Sequence, residues 1–267
     1  MCCNKKEVGM LKISNLHYQV GKKEILKDIS AEFAAGKFHM ILGPNGSGKS
    51  TLLKLFSGSI DLKHGEVFYD EEKLSAISTV RMAQRRAVMS QQPELSFPLS
   101  VKEVVLMGRY PHFDFSPTKK DLDIFMAVIE KMQLQAFIDR DYLTLSGGEK
   151  QRVQFARVLA QIWEPAEPGC RYLFLDEPLT SLDVNFQQEF LQVAKSLATA
   201  QTVLIAIVHD INLAAQYADE LFFLKEGKLV ASGEPQAILN SDLIEHVFSV
   251  RTQIVLHPVT QKPVVLF

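Results

Sequence analysis

The stretch GPNGSGKST, residues 43–51, joins glycines, a lysine and hydroxyl side chains within nine residues. Gly43, Gly48, Lys49 and Ser50 have the G-x-x-x-x-G-K-S spacing of a P-loop, in which glycines let backbone N–H groups close around phosphate oxygens. We expect Lys49 to reach the β- and γ-phosphates and the Ser50 hydroxyl to bind Mg²⁺. The pattern predicts a nucleoside triphosphate site formed by Gly43, Pro44, Asn45, Gly46, Ser47, Gly48, Lys49, Ser50 and Thr51.

A pair of carboxylates follows a second apolar run, in YLFLDEP at 172–178. Asp176 would stand at the end of a buried strand, where a carboxylate can hold Mg²⁺ beside the phosphates. Glu177 would be free to polarise a water for attack on the γ-phosphorus. Adjacent carboxylates can also be a solvated strand end, but the apolar run before them and the P-loop upstream favour nucleotide hydrolysis.

A third motif is LSGGEKQR, residues 145–152. Ser146, Gly147 and Gly148 precede a run, 149–162, whose apolar residues repeat at helical spacing. Their backbone N–H groups would form a second phosphate-binding helix N-terminus. Because one nucleotide cannot use both sites of a monomer if they belong to separate subdomains, the pattern indicates two chains arranged head to tail.

The elements that must position these residues follow from the hydrophobic pattern. Near-continuous apolar runs predict strands buried on both faces of a largely parallel sheet. Helical spacing follows the P-loop, and the stretch from about 92 to 150 reads as helical throughout. The pattern thus predicts an α/β core with a helical insert, and its strands are 11–20, 25–33, 38–42, 65–69, 171–176, 202–208 and 220–224.

Composition fits one large folded domain. The chain has 267 residues, 47% of them hydrophobic, and a formal charge of −2 with acidic and basic residues interspersed, so nucleic acid is not an expected partner. Apolar stretches are too short to span a bilayer, and the start of the chain lacks the apolar core of a signal peptide. We expect a cytosolic protein with a disordered tip over residues 1–10, which includes Cys2 and Cys3.

With these motifs in this order, the chain resembles the ATP-binding subunit of an ABC transporter over nearly its whole length. The resemblance implies an α/β P-loop NTPase cassette with a mostly parallel core sheet and an N-terminal antiparallel β subdomain. It implies a single domain over 11–267, with the helical subdomain inserted at about 92–150. It also implies ATP as the nucleotide, Mg²⁺ as its metal, and a homodimer that sandwiches two ATP molecules and reopens on hydrolysis.

The resemblance assigns roles to three further residues. Gln91, in AVMSQQP, matches the glutamine that contacts Mg²⁺ and communicates with the membrane partner. The adjacent Gln92 is the alternative residue for this role. Asp183, which ends LTSLD, matches a dimer-interface residue, although the preceding Leu-Thr-Ser departs from the commoner Thr-Ser-Ala. His209 matches the histidine that contacts the γ-phosphate, where a lone histidine at a strand end would ordinarily be structural.

The adenine contact is left open by the sequence. The family usually stacks an aromatic ring on adenine from the residue before the glycine of the first hairpin, and here that residue is Val20. Tyr18 lies two positions earlier, and on a strand residues two apart share a face. Either Tyr18 supplies the ring or Val20 gives apolar contact.

The resemblance narrows to bacterial importers. Residues 93–112 look like the corresponding region in importers of iron-siderophore, cobalamin and haem compounds, and disfavour an exporter. The segment IWEPAEPGC at 162–170 and the terminal LHPVTQKPVVLF resemble haem-importer ATPases, with siderophore or cobalamin uptake as the alternative. A soluble ABC protein of DNA repair or translation normally has long coiled-coil insertions or two cassettes in one chain. This sequence shows neither feature, so that class of protein is disfavoured.

The importer resemblance also implies partners and a location. The direct partners are two membrane-spanning permease subunits, which the chain would contact through the surface near 107–110. A periplasmic or surface substrate-binding protein is an indirect partner. The chain is then expected at the cytoplasmic face of the cell membrane, as a peripheral subunit.

Overall fold

The structure is a computed structural model that describes residues 9–90, 97–166, 169–180 and 182–267. Its strands are β1 Met10–Val20, β2 Lys23–Ala34, β3 Phe38–Leu42, β4 His64–Tyr69, β5 Glu72–Lys73, β6 Arg86–Met89, β7 Arg171–Asp176, β8 Thr202–Ile207, β9 Glu220–Lys225, β10 Lys228–Gly233, β11 Gln253–Leu256 and β12 Pro263–Leu266. Its α-helices are α1 Lys49–Phe56, α2 Thr79–Arg85, α3 Val101–Leu106, α4 Lys119–Lys131, α5 Gly147–Gln161, α6 Val184–Ser196, α7 Ile211–Tyr217, α8 Pro235–Ile238 and α9 Ser241–Phe248.

A six-stranded sheet in the order β10-β9-β3-β8-β7-β6 forms the core. The five strands from β9 to β6 are parallel, and β10 pairs with β9 antiparallel at the edge. Alternate residues of β7 enter different apolar layers: Leu173 and Leu175 pack with the helices α3 to α7, whereas Tyr172 and Phe174 pack with α1 and the N-terminal strands. This two-sided burial explains the continuous apolar runs of the sequence.

The N-terminal strands form a separate antiparallel sheet in the order β2-β1-β4-β5. Leu11, Ile13 and Leu16 of β1 point from this sheet into the second apolar layer, together with Phe56 of α1. The α/β class, the mostly parallel sheet and the antiparallel N-terminal part are therefore confirmed. β1 begins at Met10, whose N–H donates to Asp70 Oδ1 at 3.2 Å, so the expected tip does not reach residue 10. Residues 1–8, with Cys2 and Cys3, lie outside the described residues.

The helical insert is less regular than the sequence predicts. After α3 the chain tightens into a 3₁₀ helix, Met107–His112, and two further 3₁₀ turns precede α5. Pro111 lies inside this 3₁₀ helix, and a proline cannot supply the N–H that an α-helix would need there. The expectation of helix throughout 92–150 is therefore wrong in these segments.

Arg109 fastens the 3₁₀ helix to the rest of the insert. Its guanidinium is 1% exposed and donates to Asp121 Oδ1 at 2.9 Å, to the Ala160 carbonyl at 2.8 Å and to Glu164 Oε2 at 2.6 Å. Asp121 belongs to α4, and Glu164 follows α5. One buried cation thus joins the 3₁₀ helix to α4, to the end of α5 and to the segment after α5 through hydrogen bonds that its charge strengthens.

The chain ends in the antiparallel hairpin β11–β12, where the sequence places LHPVTQKPVVLF. Across the described parts of the chain, the helices are all too short or too polar to traverse a lipid bilayer.

Candidate nucleotide-binding site

The predicted phosphate loop lies between the buried strand β3 and helix α1, as the motif requires. Gly48, which precedes α1, has φ 103°, and Gly46 has φ 76°, both in the region that favours glycine. A Cβ on Gly43 would lie 2.0 Å from the Leu224 carbonyl oxygen of β9. The glycines are thus required both by backbone conformation and by the close approach of a neighbouring strand.

Lys49 lies inside this loop. It is 5% exposed, and its Nζ donates to the carbonyls of Gly43 at 2.8 Å and Pro44 at 3.0 Å. Burial lowers the pKa of this ammonium, and the negative charges of Glu177 and Asp176 oppose that effect. The lysine is therefore held at the centre of the loop, on the same side as the two carboxylates.

Asp176 and Ser50 meet across 126 positions of sequence. Ser50, in the first turn of α1, donates through Oγ to Asp176 Oδ1 at 3.1 Å, and Asp176 ends β7 with only 5% of its surface exposed. Burial raises the pKa of the Asp176 carboxyl, while the Ser50 hydrogen bond opposes the rise. The pair places a hydroxyl and a carboxylate oxygen together at the mouth of the loop.

Glu177 and His209 also come together. His209 Nε2 lies 2.8 Å from Glu177 Oε1, and the Glu177 N–H donates to the Ile207 carbonyl at 3.2 Å. The backbone of Glu177 has φ 52°, which is uncommon for a residue other than glycine, so the chain turns sharply as it leaves β7. The ends of the adjacent strands β7 and β8 thus bring a carboxylate and an imidazole into contact.

The third motif begins helix α5. Ser146 caps this helix: its hydroxyl accepts from the Glu149 N–H, and Glu149 accepts from the Ser146 N–H. Gly147 and Gly148 form the first turn, and a Cβ on Gly148 would lie 3.6 Å from Leu182 Cδ2. Asp183 caps the neighbouring helix α6 by accepting from the Phe186 N–H at 3.0 Å. The motif therefore packs against the loop that follows Glu177.

Gln151, which we did not single out from the sequence, connects these two motifs. Its Nε2 donates to the Pro178 carbonyl at 2.7 Å, directly after Glu177. Its position in LSGGEKQR is the signal that could have identified it. Beside these helix starts lies a cleft of about 230 Å³ lined in part by Gly148, Arg152 and Phe186.

The predicted adenine contacts lie on β1. Tyr18 pairs with Leu26 of β2, and Leu26 Cδ2 would lie 2.7 Å from a Cβ on Gly48, so β1 is one strand away from the phosphate loop. Tyr18 is partly buried against the second apolar layer, whereas Val20 is 60% exposed at the end of the strand. Gln91, predicted as a metal ligand and catalytic residue, lies outside the described residues.

Comparison with known proteins agrees with this arrangement. The family described as ABC transporter matches residues 26–180, which contain the phosphate loop, the Ser146 motif and both carboxylates. The chain belongs to the ABC transporter family. Among its members, the Hemin import ATP-binding protein HmuV of Gloeobacter violaceus is 41% identical over 96% of this chain and 94% of that protein. The protein of the same name from Escherichia coli O157:H7 is 38% identical over 96% of this chain and 99% of its own length.

Solved structures of ABC proteins have the same fold. An inward-facing ABC transporter described as of the metal-chelate type superimposes with a TM-score of 0.80 at 25% identity, over 97% of this chain and 98% of that one. A bacterial ABC transporter cassette solved as a dimer gives a TM-score of 0.72 at 25% identity, over 84% and 98%. As a member of this family, the chain is a nucleotide-binding protein.

Proposed function

We propose that this chain is the ATP-hydrolysing subunit of an ABC importer that takes up haem. The observation that carries the ATPase assignment is the convergence of the Lys49 loop, the Ser50–Asp176 pair and the Glu177–His209 pair at the same ends of β3, β7 and β8. The relatives named as hemin import ATP-binding proteins support the cargo, because they align with nearly the whole chain.

The Lys49 loop binds the phosphates in this proposal. Its glycines expose backbone N–H groups, the start of α1 adds the positive end of the helix dipole, and the Lys49 ammonium neutralises phosphate charge. The loop bonds that now hold Lys49 Nζ are to neutral carbonyls, so the ammonium can exchange them for phosphate oxygens. Residues 44–47 and Thr51 complete the contacts.

Ser50 and Asp176 fit a magnesium ion. Hydroxyl and carboxylate oxygens are the ligands that Mg²⁺ prefers, and the burial that raises the pKa of Asp176 would be offset by a neighbouring cation. When bound, Mg²⁺ withdraws charge from the phosphate oxygens. Gln91 is proposed as a further ligand.

Glu177 acts as the general base. Its carboxylate takes a proton from a water as that water attacks the γ-phosphorus, while the His209 ring, in contact at 2.8 Å, holds the carboxylate in place and reaches toward the γ-phosphate. The Tyr18 ring or Val20 contacts adenine, and the partial burial of Tyr18 leaves both choices compatible with β1.

The composite site requires a second copy of the chain. Ser146, Gly147, Gly148 and Asp183 are proposed to face the nucleotide bound by the partner's phosphate loop. The dimeric cassette among the solved structures supports this arrangement. The packing of Gly148 on Leu182 and the bond from Gln151 to Pro178 would couple closure of the dimer to the position of Glu177.

Two permease subunits are the proposed membrane partners, with a substrate-binding protein acting through them, and the ATPase would sit peripherally at the cytoplasmic face of the cell membrane. The surface near 107–110 supplies the contact: Tyr110 is 59% exposed, and the buried Arg109 beside it fixes the backbone. Co-purification of the chain with a multispanning membrane protein would support this assignment, and failure to co-purify would favour a soluble ABC ATPase.

Growth on defined iron sources tests the cargo. Deleting the gene in its source organism should abolish growth on haem as sole iron source and spare growth on ferric siderophores and cobalamin-dependent growth. The reverse pattern would transfer the assignment to siderophore or cobalamin uptake. It would leave the ATPase assignment intact, because phosphate and magnesium chemistry does not depend on the cargo.

A further inference from the structure

The terminal hairpin is attached to helix α7 through one asparagine. Asn212 Nδ2 donates to the Val265 carbonyl at 3.0 Å, and its Oδ1 accepts from the Val265 N–H at 2.7 Å. Since the N–H and C=O of a strand residue point to the same side, Val265 turns both groups away from its partner Ile254 in β11. The Asn212 amide thus takes the place of a third strand and satisfies both backbone groups of a residue that is 1% exposed.

Asn212 also lies three residues after His209. Between them Asp210 caps α7, because its Oδ1 accepts from the N–H groups of Asn212 at 2.8 Å and Leu213 at 3.0 Å. The His209 side chain is 47% exposed, and its contact at Glu177 Oε1 comes from a short segment between β8 and α7. The direction of this imidazole therefore depends on where the first turn of α7 is held.

Two features support a specific role for the amide over general attachment of the hairpin. The Asn212 amide supplies one donor and one acceptor, which match the C=O and N–H of Val265. Among the described residues, a second polar contact of the hairpin to α7, from Lys262 Nζ to the Gln216 carbonyl, is an exposed bond near the far end of the helix. The hairpin buries Val265 and packs Ile254 against the apolar layer that contains α7, but it exposes Leu256, Val259 and Phe267, so the amide adds a directional contact to a small buried apolar surface.

We infer that Asn212 is a positioning residue for His209: the terminal hairpin holds the first turn of α7 through the Asn212 amide and so aims the imidazole at Glu177 and the γ-phosphate. This inference rests on the proposed function for its catalytic consequence. It gives the carboxyl-terminal segment a part in ATP hydrolysis although that segment lies far along the chain from the motifs.

The test compares Asn212→Ala with the full-length wild type in ATP turnover and in amide hydrogen exchange. We expect kcat to fall about ten- to a hundredfold, as displaced catalytic groups commonly give, with the Kd for ATP unchanged within about threefold. In the His209→Ala background the same substitution should cause no further fall, because two changes acting through one group are not additive. Without nucleotide, the amides of residues 212 and 213 should exchange at least about tenfold faster.

Lys262→Met is the matched control, because it removes the other polar contact between hairpin and α7, and it should behave as wild type in both assays. If Asn212→Ala unfolds, Asn212→Asp replaces it: the carboxylate keeps the acceptor for the Val265 N–H, but its other oxygen repels the Val265 carbonyl, so a fall in kcat is again expected. Unchanged exchange at 212 and 213, an equal fall in the His209→Ala background, or an equal effect of Lys262→Met would overturn the inference. An inactive wild type would contradict the proposed function instead, while the exchange measurement still tests whether Asn212 holds the first turn of α7.

Discussion

Glu220, at the start of β9, provides a stability prediction with a worked magnitude. His39 Nδ1 lies 3.2 Å from Glu220 Oε2, and the Lys37 ammonium contacts the other carboxylate oxygen. The neighbouring His39 side chain lowers the pKa of Glu220 most, burial opposes it, and Lys37 lowers it further, so that the pKa falls from 4.5 to about 2. At about 1.4 kcal/mol per pH unit, this difference corresponds to about 3 kcal/mol of folding stability at pH 7.

The sign follows from linkage. A carboxyl whose pKa is lower in the folded state stabilises the fold above its unfolded pKa, and this stabilisation is lost as the pH falls from about 4.5 to about 2. We therefore expect Glu220→Gln to reduce the free energy of unfolding by about 3 kcal/mol between pH 7 and pH 5, and by about half that amount at pH 3.

Urea unfolding of both proteins at pH 7, 5 and 3 measures this difference. Glu32 provides a control, because its carboxylate forms an exposed ion pair with Lys12 at 2.7 Å on the N-terminal sheet. Glu32→Gln should change the free energy of unfolding by at most about 1 kcal/mol. A Glu220→Gln effect that stays constant from pH 7 to pH 3 would refute the electrostatic reasoning and leave only lost packing. The Kd for ATP should not change, because Glu220 lies at the end of the sheet opposite the phosphate loop.

Two further predictions concern catalysis. Glu177→Gln should bind ATP but lower turnover about 10²- to 10⁴-fold, because an amide cannot accept the proton, and gel filtration should show an ATP-dependent dimer; normal turnover would exclude Glu177 as the base. Mixing Lys49→Ala with Ser146→Arg, each inactive alone, should restore partial ATPase activity, because both changes fall on the same site of a mixed dimer and leave the other complete. No recovery on mixing would indicate that Ser146 serves the nucleotide of its own chain.

The sequence predicted strands best where burial is two-sided. The predicted bounds of β3 and β7 are confirmed to the residue, since their runs are almost wholly apolar and each is followed by a motif residue, Gly43 after β3 and Asp176 at the end of β7. It failed to predict α2 and β6, which have 7 and 4 residues, because segments this short are not identified by their hydrophobic period. Their buried residues are Met82, Arg85, Ala87 and Met89. α2 and β6 are placed by tertiary contacts rather than by their own pattern.

Some residues of the candidate site could be predicted from the sequence, and others could not. Motif spacing identified Lys49, Ser50, Asp176 and Glu177 because phosphate and metal chemistry restricts which residue types can stand there. Spacing could not show that His209 contacts Glu177, since 31 residues lie between them and only the parallel pairing of β7 with β8 brings them together. Asn212 carried no signal at all, because a single amide in a short helix is unremarkable without its partner on β12.

The buried ion cluster at Arg109 limits how this subunit could be re-engineered for another permease. Glu164, one of the two carboxylates on Arg109, comes from the segment 162–170 rather than from a helix of the insert. A chimera that kept Arg109 but shortened this segment would leave Asp121 as the only one of these two carboxylates on the buried guanidinium, and the loss of a charge-assisted hydrogen bond costs about 1.5–3 kcal/mol. Grafts of the proposed permease-facing surface should therefore exchange residues 107–121 and 162–170 together, although 40 positions of the chain lie between these two segments.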